Sequence, residues 1–165
     1  MDKIVSDLQD YARPLKPKLV PTDIRQLIDV TLSTIDIPEN IEFSSAIPAD
    51  FPDLMVDKDL MRRVLTNLVV NAVQAMSDGG KLRIRAERTG KDVLVSVEDT
   101  GIGISEENMG KLFQPLFTTK PKGQGLGLPV CKRIVEAHGG DILVESRVGR
   151  GSTFKIRIPI ESEVR

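Results

Sequence analysis

Ten of the 13 glycines fall between Gly101 and Gly151, and no other feature constrains so strongly what the chain can fold into. Glycine lets backbone amides approach a ligand or a neighbouring strand where a Cβ would obstruct. A binding site is therefore expected in the C-terminal half. At 165 residues the chain is one domain of ordinary size, long enough to bury about 70% of its unfolded surface. Lys plus Arg number 23 and Asp plus Glu 24, a formal charge of −1, so no basic excess drives binding to nucleic acid. One cysteine and one histidine cannot make an internal disulfide or a Cys/His zinc cluster. With no apolar run of about 18 residues and no signal-peptide pattern after Met1, a cytoplasmic globular domain is expected.

Periodicity places the elements. Ile4, Leu8, Tyr11 and Leu15 follow a heptad-like spacing that Pro14, Pro17 and Pro21 then break. This segment reads either as an amphipathic helix on its own domain or as the end of a preceding helical domain. Thr22 is expected to cap a helix carrying Ile24, Leu27, Ile28, Thr31 and Leu32, and residues 41–46 alternate like a strand. Asp57 is expected to cap a helix over Lys58–Met76. Strands 82–86 and 93–97 form a hairpin about Gly90-Lys91. Ser105 caps a short helix with Glu106 and Glu107 in its first turn. A further helix spans 126–138, and strands 142–146 and 153–160 close the chain. The order lacks regular strand–helix–strand units, which predicts an α+β, two-layer sandwich with helices on one face of the sheet.

Three motifs carry chemistry. Asn67 and Asn71, four apart, share one helix face at the edge of the apolar stripe. They suit either a satisfied polar pair at the helix rim or an oxygen ligand for Mg²⁺. Asp99-Thr-Gly101-Ile-Gly103-Ile104 follows a strand directly. A buried carboxylate there accepts hydrogen bonds only and matches an exocyclic amine such as that of adenine, although ordinary strand-end loops use the same residues. Lys122-Gly123-Gln124-Gly125-Leu126-Gly127-Leu128 runs into a helix whose first turn holds Pro129, a phosphate-suited arrangement of amides. Neither loop is a dinucleotide fingerprint or a Walker loop.

Taken in order, Asn-x₃-Asn-Ala, Asp-Thr-Gly-Ile-Gly, Leu112-Phe-Gln-Pro-Leu-Phe-Thr-Thr119-Lys120, Gly-x-Gly-Leu-Gly-Leu, Ile134-Val-Glu-Ala-His-Gly-Gly140 and Gly149-Arg-Gly-Ser-Thr-Phe154 strongly resemble the catalytic, ATP-binding domain of two-component sensor histidine kinases. That group shares a superfamily with gyrase, the heat-shock chaperone ATPase and the mismatch-repair ATPases. The resemblance covers about residues 21–160. It implies a Bergerat-type fold, a mixed and mostly antiparallel sheet with about three helices on one face. Residues 1–20 resemble the end of the family's dimerisation helix and linker, leaving 21–165 as the catalytic domain.

The same resemblance implies roles. Asn71 would hold Mg²⁺, with Asn67 lining the phosphates of ATP and Gln74 beside them. Asp99 would bond the adenine amine, Gly101, Gly103 and Ile104 would shape the pocket, and Thr153 would reach adenine through water. Residues 108–124 would form a mobile lid anchored by Phe113 and Phe117. Thr119, Lys120 and the backbone of Gly123, Gln124, Gly125, Leu126, Gly127 and Leu128 would grip the phosphates. Asn67, Asn71 and Lys120 would carry catalysis. Three departures stand out: Gln74 where many members have a Lys, which implies weaker ATP binding, Gln124 for a common Thr, and Pro129 for a common Ala. Hydrolytic members place a Glu at position 67; an amide cannot take a proton there, so intrinsic hydrolysis is expected to be poor.

The implied activity is transfer of the γ-phosphate of Mg-ATP to a histidine on a separate helical dimerisation domain, from which a response-regulator receiver domain takes it. His138 precedes Gly139-Gly140 at a helix end, where a structural role is expected rather than that of phosphoacceptor. No contact of this domain with nucleic acid or membrane is expected. An anti-sigma-factor-type serine kinase fits less well, because of the Phe-Thr-Thr-Lys lid and the proline-rich leader. A gyrase-like or chaperone-like clamp lacks its Glu. A non-catalytic nucleotide-sensing module stays open.

Overall fold

A computed structural model describes residues 14–115 and 127–160. Its elements in chain order are β1 (Val20–Thr22), α1 (Ile24–Ser33), β2 (Ile41–Ala46), β3 (Leu54–Val56), α2 (Lys58–Gln74), β4 (Gly80–Thr89), β5 (Asp92–Asp99), α3 (Glu106–Met109), α4 (Gly127–Ala137), β6 (Asp141–Arg147) and β7 (Gly151–Pro159). The main sheet has the order β2-β4-β5-β7-β6. β2 pairs with β4 in parallel, and every other pair in that sheet is antiparallel. The fold is the mixed, mostly antiparallel α+β sandwich that the sequence implies.

Strand alternation sorts the sheet into two faces. Ile84, Val97, Phe154 and Val144 occupy one cross-strand rung, and Ala86, Val95, Ile156 and Ile142 the next. Both rungs face α1, α2 and α4, whose buried residues include Ile28, Leu65, Leu68, Ile134 and Val135. The other face is polar and self-neutralising: Arg85 pairs with Glu98, Lys155 with Glu145, and Arg157 with both Asp92 and Asp141. Such exposed pairs contribute little stability and keep this face wetted.

Two local features differ from the sequence expectation. Asp23, not Thr22, caps α1: its carboxylate accepts from the amides of Arg25 and Gln26. Thr22 is instead the last residue of β1 and turns its hydroxyl back to the Val20 carbonyl. Strands β1 and β3, absent from the sequence expectation, form a separate antiparallel pair with Val20 opposite Val56. Three residues are too few to show a period, and Pro21 argues against a strand except at an edge.

β1 also begins before the expected boundary at residue 20, and Leu15 packs on the core. The heptad-like positions Ile4, Leu8 and Tyr11 lie outside the described residues. Asp57 caps α2 as expected, accepting from Leu60 N–H at 3.1 Å through Oδ1. Its Oδ2 accepts the Lys18 amide at 2.9 Å, tying the entering chain to the start of α2. Among the described residues, no helix is long and apolar enough to cross a membrane.

Candidate functional site

The rung at the upper end of the sheet breaks the apolar pattern. Leu82, Asp99, Ser152 and Ser146 stand side by side on β4, β5, β7 and β6, on the face toward the helices. Asp99 is only 5% exposed. One of its carboxylate oxygens accepts the Gly101 amide at 2.9 Å, so the loop that follows β5 folds back over its own aspartate. A buried carboxylate held in this way remains an acceptor aimed at the helix side of the sheet.

Glycines let that loop lie flat. A Cβ on Gly101 would sit 2.3 Å from the Ala75 carbonyl oxygen, just past the end of α2. Gly103 has φ of 76°, and a Cβ there would overlap the Arg147 carbonyl oxygen at 2.0 Å. The loop is pinned on both sides. Ile102 N–H donates to Ala75 O at 3.0 Å, Gly149 N–H to Ile102 O at 2.8 Å, and Ile104 N–H to Ser146 Oγ at 2.8 Å. Ile104 and Leu128, both half-buried, pack against the core.

On α2, Asn67 and Asn71 are half-buried and Gln74 is exposed. The Asn67 amide nitrogen lies 3.5 Å from both the Gly127 carbonyl oxygen and Cys131 Sγ on α4. Its two N–H donors thus face α4 and its carbonyl oxygen turns away. Burial pushes the Cys131 thiol up to about 12, against the opposing pull of the Asn67 hydrogen bond. The thiol is therefore a neutral packing group whose sulfur accepts from Asn67. Phe113, expected at the base of the lid, is half-buried, with the Lys132 ammonium 5.4 Å above its ring.

The structure thus gathers Asn67, Gly127 and Leu128 at the α2–α4 junction, and Asp99, Gly101, Gly103 and Ile104 at the end of β5, while Ala75 joins the second group to α2. Thr153 lies on the other face of the sheet and meets Asp99 only at the rim of the depression at the strand ends. The register sets it opposite Glu98 on the polar face, and Ser152 is the hydroxyl opposite Asp99. The sequence held the signal: Phe154, Ile156 and Ile158 alternate inward, which places position 152 inward and 153 outward. An open depression of about 530 Å³ at the strand ends reaches Asp99, Ser152 and Thr153 and is edged by Arg147 and Arg150. Phe117, Thr119, Lys120, Gly123, Gln124, Gly125 and Leu126 lie outside the described residues.

Comparison with known proteins gives the arrangement a context. Residues 56–162 match the family described as histidine kinase-, DNA gyrase B-, and HSP90-like ATPase. The chain is 35% identical over 167 residues to the signal transduction histidine-protein kinase AtoS of Escherichia coli (strain K12), covering 99% of this chain and 28% of that protein. The full-length ShkA structure in complex with AMPPNP superposes with a TM-score of 0.86 at 26% identity, over 99% of this chain and 36% of that one. Histidine kinase ThkA, in complex with response regulator protein TrrA, superposes with a TM-score of 0.84 at 32% identity, over 99% of this chain and 48% of that one. The chain spans about a quarter to nearly half of the length of the curated relatives it matches.

Proposed function

Because the chain belongs to the family of histidine kinase-, DNA gyrase B-, and HSP90-like ATPases, we propose that it binds Mg-ATP and donates the γ-phosphate to a histidine on a separate helical dimerisation domain, as the catalytic half of a sensor histidine kinase acting in the cytoplasm. The observation that carries this reading is the buried Asp99 carboxylate at the strand end, on the helix-facing side of the sheet, with the Gly101 amide donating to one of its oxygens.

In this reading Asp99 accepts from the adenine amine, and Ile104 and Leu128 supply apolar walls. Ser152, in place of Thr153, is the hydroxyl that stands beside Asp99 on the rung. Asn67 stands where a hydrolytic site needs a carboxylate, and its amide cannot abstract a proton from water. Catalysis then reduces to holding the γ-phosphate in line and screening its charge, with Lys120 and the backbone of residues 123–128 as the grip and Thr119 beside it. Gln74 contributes no charge, so the phosphates depend more heavily on Lys120.

The donor set suits magnesium brought in with the nucleotide. Among the described residues no group of three or more His, Cys, Asp or Glu could cage a metal by itself. An ion held mostly by phosphates and water needs only an amide oxygen such as that of Asn71. Bound there, it would neutralise charge on the transferring phosphates.

The phosphoacceptor is proposed to lie on a separate helical domain, because both ring nitrogens of His138 are engaged with backbone groups. AtoS carries the histidine kinase name, and ThkA binds a response regulator in its complex. A receiver domain is accordingly the proposed acceptor of the phosphohistidine. The test supplies a helical phosphoacceptor domain with radiolabelled ATP. Acid-labile, alkali-stable phosphate on that domain is expected. Acid-stable phosphoserine, or nucleotide binding without transfer, would overturn the proposal.

A further inference from the structure

We propose that Ser146 is a positioning residue that sets which purine the cleft accepts, by fixing the hydroxyl hydrogen of Ser152. The inference rests on the reading that a purine lies against Asp99. Ser146, Ser152 and Asp99 occupy adjacent strands of one rung, with Ser152 in the middle. Ser152 is buried and Ser146 half-buried.

The Ser146 oxygen makes three close contacts. It lies 2.8 Å from the Ile104 amide, 2.9 Å from the Gly151 carbonyl oxygen and 2.7 Å from Ser152 Oγ. An amide can only donate, a carbonyl can only accept, and Ser146 owns a single hydrogen. All three contacts are hydrogen bonds in one arrangement only. Ile104 donates to Ser146, Ser146 donates to Gly151, and Ser152 donates to Ser146. The Ser152 hydrogen therefore points toward β6, and Ser152 presents lone pairs to the remainder of the rung.

Asp99, as a carboxylate, also presents acceptors. Two neighbouring groups on this rung thus offer acceptors alone, which suits the amine of a 6-aminopurine. A 6-oxopurine brings a further acceptor to that place, and a buried acceptor facing acceptors is costly. Without the Ser146 hydroxyl, Ser152 is free to rotate and donate to a 6-oxo group. Ser146 touches no part of the nucleotide in this scheme. It acts through Ser152, and through Ile104 it also holds the glycine loop in register with the rung.

The test measures affinities of the full 165-residue chain for ADP and for inosine diphosphate by calorimetry. These ligands differ only at the purine 6-position and its N1 proton. Wild type is expected to prefer ADP. Ser146→Ala is expected to reduce that preference about tenfold, and Ser146→Thr, which keeps a hydroxyl, to retain it. In a Ser152→Ala background, adding Ser146→Ala should leave the preference unchanged, because the hydroxyl it controls is gone. Because each preference is a ratio measured on the same folded protein, a loss of stability does not imitate the effect. An unchanged preference in Ser146→Ala, or equal weakening of both ligands, would overturn the inference and leave the nucleotide reading intact. Failure of wild type to bind either diphosphate would overturn both.

Discussion

Cys131 on α4 accepts a hydrogen bond from the Asn67 amide of α2 at 3.5 Å, while its own S–H lies 3.9 Å from the Val64 carbonyl oxygen. The thiol is fully buried, and burial holds it neutral up to about pH 12. In the unfolded chain the same group ionises near 9. A group whose folded pKa lies above its unfolded pKa contributes stability that is complete below the unfolded value and is lost as pH rises toward the folded one. The urea midpoint is therefore expected to fall between pH 9 and 12 more steeply for wild type than for Cys131→Val. Equal slopes would place the titration elsewhere. The native thiol is also expected to resist disulfide-exchange reagents at pH 8 until the protein unfolds.

Asp99→Asn keeps the shape of the side chain and reverses half of its hydrogen bonding. Gly101 N–H can still donate to the amide oxygen, which leaves an NH₂ facing the cleft. Donor then meets donor at the purine amine. Affinity for an adenine nucleotide is expected to fall about 100-fold with the thermal midpoint little changed. Calorimetry that returns wild-type affinity would remove Asp99 from the site.

His138 is a buried strut between helices. Its Nε2 accepts the Asp57 amide at 3.0 Å, and its Nδ1 donates to the Ile134 carbonyl at 2.7 Å. His138→Leu leaves both backbone groups unpaired in a dry site and is expected to cost about 2–4 kcal/mol in urea unfolding. In transfer assays His138→Asn should leave the amount of acid-labile phosphate unchanged, because neither ring nitrogen is free to serve as acceptor.

Two glycines of the motifs separate by mechanism. Gly103→Ala combines φ of 76° with a Cβ 2.0 Å from the Arg147 carbonyl oxygen, and is expected to lower stability by about 2 kcal/mol or more. Gly127→Ala places its Cβ 3.9 Å from Asn67 Cγ, an ordinary contact, and should leave thermal stability unchanged or slightly raised. Melting curves of the two variants side by side decide this.

Much of the molecule was legible before any coordinates. The 3.6-residue spacing of Met61, Leu65, Leu68 and Ala72 and the period-two strands at 82–86 and 93–97 identified layers that the structure contains. Helix starts marked by Asp57 and Ser105 were legible because a single side chain determines each. The cap of α1 lies one residue beyond the sequence expectation, since Thr22 and Asp23 are both competent and the β1–β3 pairing takes Thr22 into a strand. Thr153 was expected in the site from motif order, although the alternation of Phe154, Ile156 and Ile158 already placed it on the far face. The contacts of Ser146 and of His138 join residues far apart in sequence or across a hairpin, and local periodicity carries no trace of such pairings.

Asp57 joins three of these connections: one carboxylate oxygen caps α2, the other holds the Lys18 amide, and its own amide is taken by His138. At the point of entry one residue therefore serves the incoming chain, the helix start and the histidine strut together. A substitution at Asp57 is accordingly felt both at Lys18 and at the first turn of the helix that carries Asn67 and Asn71.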